Sequence, residues 1–473
     1  MPEVPKSDLT DSADFVVVGG GAAGLVAARW LAAAGHSVLV LEGGTAAVAT
    51  AFESPDALRM LQGGGRWRTR GPDAIALQAG NAIGGSTAIG WGVHAALPEE
   101  VYARWIERDP AWQTRLPYAE LELAHQCTDA EFSVAKAPRD LWGHSGQMLM
   151  DALVGIADPV WRGAAGCKGT ARCAAGCPTK GMGSVDRVVW PTALRHGARM
   201  LAGVQVRRIE VQRGRAVGVT GLSPSGGRLA VTARRAVFLC AGTLGSWRIL
   251  QQSRVDTRSW GLSLHAEALV AALLPDPVDD DRAAGLAVQA RVPGVDDATL
   301  SAVSALPRMR ALALPGAGLA LEHRMELLAH LVTWQVTVAA EGRGTVREGL
   351  FGPRFDLTLT ARDRSRLLAG VAVAADGLLH QGAAEVYPQA FGAPQVVVSP
   401  GDVTAVASAA PVAAVLPLFA HSLFGGLQVD ERYAVPGVKG LVVADATVLP
   451  APTVVPPLAT VMAVAMAAVQ RWV

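Results

Sequence analysis

Aromatic side chains are scarce: phenylalanine, tryptophan and tyrosine make up 5% of 473 residues, although 51% of the chain is hydrophobic. Alanine, valine and leucine carry that apolar mass, giving an ordinary globular composition tilted toward alanine. Charge of one sign is lacking too. A formal net charge of +1 argues against nucleic acid or a strongly charged membrane surface as partner. Cysteine is sparse and odd in number. Cys127, Cys167, Cys173, Cys177 and Cys240 form no disulfide framework and suit a reducing cytoplasm. Long hydrophobic runs are missing: Val403 to Phe419 is broken by Pro411 and Pro417, and Leu458 to Val469 is too short to cross a bilayer. The first 14 residues are polar and acidic with no apolar segment, so no secretory leader is expected and the cytoplasm is the expected compartment. At this length two domains are the natural expectation.

Glycine, by contrast, is plentiful and placed to a pattern. Residues 1 to 12 read as a loose lead-in, and Phe15 to Val18 as a strand buried on both faces of a parallel sheet. The strand runs straight into Gly19-Gly20-Gly21-Ala22-Ala23-Gly24, which satisfies G-x-G-x-x-G. Gly19 allows the tight turn, Gly21 lets backbone approach a pyrophosphate, and Gly24 lets the helix pack close on the strand. That helix opens at Ala22 and Ala23, where unpaired N–H groups and the positive dipole end can meet phosphates, and it closes at Gly35. A second strand, Val38 to Leu41, ends at Glu42, placed to hold the ribose hydroxyls of an adenosine. Strand, loop, helix, strand and acid in order predict a dinucleotide site, with FAD and NAD both open. Thr45 to Arg70 reads as a connection, helical in part.

A second glycine-rich run, GNAIGGSTAIGWG from Gly80 to Gly92, is either a surface loop or a further cofactor contact. In the second case Gly84, Gly85 and Ser86 present N–H and hydroxyl groups to phosphate oxygens. This block, following a Rossmann unit, resembles the first signature of the glucose–methanol–choline (GMC) oxidoreductase family of FAD enzymes. Pro98 to Trp105 resembles the segment leading into the substrate domain of its shorter bacterial members. Gly90 stands where the family usually has a flavin-contacting Asn. Val237 to Ser246 resembles the family's later cofactor-contacting strand, which implies cofactor roles for Ala241 and Gly242, and the resemblance adds Val206 to them. Gly440 to Pro450 and Pro456 to Thr460 resemble its C-terminal block. They imply that Asp445 and Ala446 lie near the pyrophosphate, and that the helix opening at Pro457 and Leu458 aims its dipole at the flavin. One dinucleotide fingerprint in so long a chain favours FAD alone.

Between these blocks the chain is less informative. Strands are expected at Met200 to Val204, Val206 to Gln212, Ala216 to Thr220 and Leu229 to Thr232. Cys167, Cys173 and Cys177 lack the fourth ligand and x2 spacing of a metal or cluster site, so a structural or cofactor-covering loop is expected there, with no metal. Leu331 to Ala339 and Phe355 to Thr360 alternate as antiparallel strands with one solvated face. Asp279-Asp280-Asp281 reads as a solvated turn. The fold class expected is α/β, a Rossmann-like FAD-binding domain of the GMC and glutathione-reductase type with a second α+β substrate domain built on an antiparallel sheet. The FAD-binding domain takes residues 12–98, 165–262 and 418–473, and the substrate-binding domain residues 99–164 and 263–417.

Oxidising an alcohol on a flavin requires hydride transfer to N5 and removal of the hydroxyl proton. A near-neutral base is wanted, so histidine is the first candidate. His421, before Gly425-Gly426 and the Asp445 block, falls at the family's interval; a satisfied core histidine is the alternative. His94 and His265 are weaker candidates. The family's second catalytic group, Asn or His, falls at Pro456, which offers no side-chain donor. The resemblance therefore implies an FAD-dependent enzyme oxidising a small to medium, largely apolar alcohol and passing electrons to oxygen or an external acceptor. Pro456 leaves two alternatives: a non-redox, lyase-type flavoenzyme, or a degenerate FAD-binding subunit working through a protein partner.

Overall fold

A computed structural model describes residues 7–46, 60–257, 259–278, 280–305, 310–350, 352–412 and 416–473. The first strand, β1 (Leu9–Val18), feeds helix α1 (Ala22–Ala33) and then strand β2 (Val38–Glu42). Gly35, at φ +84°, ends α1: its N–H reaches Ala32 O and the His36 N–H reaches Leu31 O, so the last carbonyls are satisfied by a left-handed cap. Strands β3 (Arg199–Ala202), β4 (Gln205–Gln212), β5 (Arg215–Leu222) and β6 (Arg228–Leu239) follow, and β6 runs into helix α2 (Gly242–Gln252). The sheet order is β3-β2-β1-β6-β5-β4. β1 pairs in parallel with β2 and β6, whereas β4 and β5 are antiparallel to their neighbours.

Two sequence expectations change here. The lead-in is not loose from Leu9 onward, because Leu9 to Ala13 pair with Leu229 to Ala233. Their side chains alternate inward and outward, which a strand buried on both faces would not show. Leu229 to Thr232 and the Val237 strand are one continuous element, β6, whose first half pairs with β5 and whose last residues pair elsewhere. Of the connection from Thr45, residues 47–59 lie outside the described residues.

A second sheet is built from β7 (Ser263–Leu273), β8 (Leu286–Arg291), β9 (Ala298–Val303) and β10 (Leu331–Ala339), in the order β7-β10-β9-β8, all antiparallel. Helix α3 (Ala361–His380) lies across it, started by a Thr360–Asp363 capping box. Gly370 and Gly377 let the helix sink onto the strands: a Cβ at Gly370 would lie 2.6 Å from Val336 Cγ1. Helix Gly143–Ala152 packs beside α3 on the same strands. β10 therefore has no solvated face. Its alternation of apolar and polar residues marks two different coverings rather than core and water, since Thr333, Gln335 and Trp334 are all buried.

Asp280 departs furthest from expectation. It is fully buried; its Oδ1 accepts the Ser145 N–H at 2.9 Å at the start of helix Gly143–Ala152. Burial lifts its carboxyl to about 6, with the Ser145 N–H and the Arg310 charge opposing. It is a buried helix anchor, while Asp279 lies outside the described residues.

The chain finally returns to the first sheet. Strand β11 (Leu441–Val443) pairs in parallel with the end of β6, and helix α4 (Leu458–Gln470) packs on α1. Alanine is the commonest buried residue of both α1 and α4, which suits a close helix–helix approach. Among the described residues no helix is long and apolar enough to cross a membrane.

Candidate active site

The carboxyl ends of β1, β2, β6 and β11 all open onto one cavity of 620 Å³, the place where an open α/β sheet binds its ligand. Its floor is backbone. Gly19, at φ +106°, comes so near β6 that a Cβ there would sit 2.3 Å from Cys240 O. Gly21 faces Gly85, whose own Cβ would stand 2.9 Å from Gly21 Cα. The Gly84 N–H donates to Gly20 O at 2.8 Å, tying the two glycine loops together. Ser86 lines the cavity and its Oγ accepts the Gly80 N–H at 2.9 Å. Gly19, Gly21, Ala22, Ala23, Gly85 and Ser86 thus form a cradle of N–H groups and small residues that side chains would fill.

Gly24 and Gly84 do not line it. A Cβ at Gly24 would fall 1.8 Å from Gly19 O, and one at Gly84 would fall 2.5 Å from Asp186 Oδ1. Both glycines serve the close packing behind the cradle.

Glu42 closes one end beside Val206. Its two oxygens accept the Gly20 and Gly44 N–H groups, each at 2.6 Å. Burial lifts its carboxyl above the ordinary value, and the Gly44, Gly20 and Gly43 N–H groups pull the other way. Asp445 follows β11 and is also buried. Its Oδ2 accepts Gly242 N–H at 2.8 Å and Ser246 Oγ–H at 2.7 Å, and Oδ1 accepts Thr447 N–H at 2.8 Å. Burial raises it as well, against those same donors. Ala241, Gly242, Ala446, Pro457 and Leu458 share the wall with it, so the start of α4 points into the cavity. A cradle of backbone N–H groups, a buried carboxylate at the end of β2 and a helix start in one cavity fit FAD. Gly90 lines the cavity without a side chain, where the resemblance led one to look for Asn.

His421 and Pro456 both line this cavity. His421 keeps 38% of its side-chain surface accessible and is held from behind by Glu267 of β7. Its Nδ1 lies 2.6 Å from Glu267 Oε2, and its backbone N–H donates to Oε1 at 3.2 Å. Gln335 of β10 donates to Oε2 at 3.1 Å, fixing the carboxylate. Burial disfavours the imidazolium, but the charge and hydrogen bond of Glu267 outweigh it, so His421 titrates above its ordinary 6.5. Glu267 was not foreseen. The signal for it was a lone acid in the largely apolar SLHAEALVAAL run, since a charge buried in a strand needs a partner. Gln62, Trp67 and Arg248, also in the wall, carried no such signal.

His94 and His265 lie outside the cavity wall. His94 packs on Phe132, and its Nδ1 is 3.5 Å from Asp129. His265 packs on Phe424, and burial depresses it to about 4. Cys173 and Cys177 cluster with Met182 against Trp91, a cavity-wall residue, and Arg162 points Nη1 at Cys167 Sγ (3.9 Å) and Nη2 at Cys173 Sγ (3.7 Å). Among the described residues no group of three His, Cys, Asp or Glu is arranged to hold a metal.

Comparison with known proteins agrees with this geometry. Residues 13–267 match the model of the GMC oxidoreductase family. An uncharacterized GMC-type oxidoreductase of Mycobacterium tuberculosis is 32% identical over 98% of this chain and 76% of its own length. The long-chain-alcohol oxidase FAO3 of Arabidopsis thaliana is 24% identical over 79% of this chain and 53% of its own. Among solved structures, an Aspergillus oryzae formate oxidase superposes with a TM-score of 0.68 at 16% identity, covering 98% of both chains. Pyridoxine 4-oxidase from Mesorbium loti gives 0.66 at 17%, covering 97% of this chain and 99% of that one. The chain belongs to the glucose–methanol–choline family of FAD-dependent oxidoreductases.

Proposed function

We propose that this flavoenzyme oxidises a CH–OH group of a small to medium, largely apolar alcohol, with His421 as the base. The observation that carries the reading is the 2.6 Å contact between His421 Nδ1 and Glu267 on the cavity wall. A carboxylate at Nδ1 keeps the ring proton there, which leaves Nε2 to accept the proton of a hydroxyl. Bound FAD supplies the two-electron acceptor for the carbinol hydride. Glu42, Val206, Asp445, Ala241 and Gly242, with the two glycine loops, would hold it. Trp67, Trp91, Val93, Leu423 and Val461 give the wall its apolar stretches, which favour an apolar substrate. The related Arabidopsis oxidase is named for long-chain alcohols. Electrons would leave to oxygen or an external acceptor. Anaerobic mixing with an alcohol panel tests the reading: bleaching of the flavin absorbance supports it.

A second reading follows from Pro456, which puts a ring with no donor in the cavity wall. A lyase-type flavoenzyme would form product from a carbinol without bleaching the flavin.

A further inference from the structure

Strands Gly344–Gly349 and Gly352–Leu357 and the short strand Thr69–Arg70 form a separate three-stranded sheet. Its inner face is Val346, Phe355 and Thr69, all buried. The outer face carries Arg347, Arg354 and Arg70, and Arg68 lies one dipeptide upstream in the same alternation; all four are exposed. Arg347 and Arg354 are direct cross-strand partners, a like-charge pairing that costs stability. Nearby carboxylates are engaged elsewhere: Asp73 with Arg364 at 2.9 Å, Glu341 with Arg362 at 3.0 Å. The acids on or beside the face are Asp356, opposite Arg70, and Glu348. Among the described residues none of the four arginines has an ion-pair partner within 4.0 Å. In a chain of net charge +1 this is a local concentration of positive charge, maintained against its own repulsion.

Its position connects it to the cavity. Trp67 lines the cavity and its ring lies 5.4 Å from Phe355, the inner residue of this sheet. Arg68 bridges to Ala76, whose strand pairs with Phe419–Ala420, directly before His421.

We propose that this arginine face is the docking surface for an acidic one-electron carrier protein that takes electrons from the flavin. Strands spaced about 4.8 Å apart and a rise of about 3.3 Å per residue place Arg347, Arg354 and Arg68 in one row across the three strands and Arg70 two residues further along, a spread of roughly 10 Å across the strands and about 7 Å along them. They do not converge as they would on one small anion, so an extended acidic surface is the matching shape. For balance, the two-electron-reduced cofactor returns to FAD by giving one electron to each of two oxidised carriers, and its protons leave to solvent. The proposal rests on the family's flavin chemistry and not on the alcohol or on His421.

The test uses the FAD-loaded protein with plastocyanin as acidic probe and cytochrome c as basic control. Oxidised holoprotein should bind plastocyanin with an affinity that falls steeply with salt. Arg347→Glu/Arg354→Glu, checked for unchanged FAD content and melting temperature, should lose at least tenfold in that affinity. After photoreduction, which needs no alcohol, it should lose at least tenfold in the rate of plastocyanin reduction. Cytochrome c should show no such loss. An equal loss toward ferricyanide would mean a small-anion site, and tighter binding to phosphatidylserine vesicles than to plastocyanin would mean a membrane face. Either result, or a double variant that behaves like the parent, overturns the proposal.

Discussion

The proposed cofactor cradle and the proposed catalytic corner occupy one cavity but are built in different ways. The cradle is backbone. Gly19 and Gly85 matter for the side chains they lack, because each packs against backbone, that of Cys240 and of Gly21 respectively. The corner is side chain. His421 takes its orientation from Glu267, 154 residues earlier, which in turn is held by Gln335 on the next strand. An atom added at Gly19 or Gly85 must displace backbone, whereas a site made from a hydrogen-bonded chain can lose one link and keep its shape.

The largest expected effect is in the cradle. Gly19→Ala places a methyl at 2.3 Å from Cys240 O in a left-handed backbone, two penalties of about 1–3 kcal/mol each. Purified protein should carry little or no flavin, read as absorbance at 450 nm per chain. Full FAD occupancy would remove the contrast between the two regions.

His421→Ala should leave FAD bound and slow flavin reduction by alcohol about 10²–10⁴-fold in stopped flow, the usual worth of a general base. An unchanged rate would move the base elsewhere.

Glu42→Ala sits between the two cases, since it is a side chain serving the cradle. It removes acceptors of the Gly20 and Gly44 N–H groups as well as the proposed ribose anchor, and FAD affinity should weaken by about 1–3 kcal/mol. Titration of the apoprotein with FAD measures it.

A gain rather than a loss sharpens the corner. Pro456→Asn supplies a side-chain donor where the proline has none, while Pro457 keeps the preceding residue extended. Reduction by simple alcohols should rise, by up to the ~2.7–4 kcal/mol that one such donor contributes elsewhere, with FAD binding unchanged. A variant that binds FAD and reduces no faster shows that the missing amide is not limiting.

What the sequence revealed follows the same division. Phe15 to Glu42 was readable because every contact it needs lies within thirty residues or is made by backbone. Gly24 and Gly84 show the limit of that reading, because glycine spacing marks close approach without saying whether ligand or protein approaches. Glu267 and Asp280 were not readable in their roles. Each is a single acid whose meaning depends on a partner brought by the fold, His421 for one and the helix at Ser145 for the other. β10 was misjudged for a related reason, since alternation distinguishes two faces but does not say that water covers one of them.

The central claim, that Glu267 sets the protonation of His421, is tested most directly by the pH dependence of flavin reduction in the parent and in Glu267→Gln. A base must be neutral to act, so the rate should climb with pH through the His421 titration, at an apparent value above 6.5 in the parent. Glutamine can keep a hydrogen bond to Nδ1 but removes the charge that outweighs burial. The limb should therefore move below 6.5, and the plateau rate should fall while FAD stays bound. A limb at the same pH in both proteins would contradict the account.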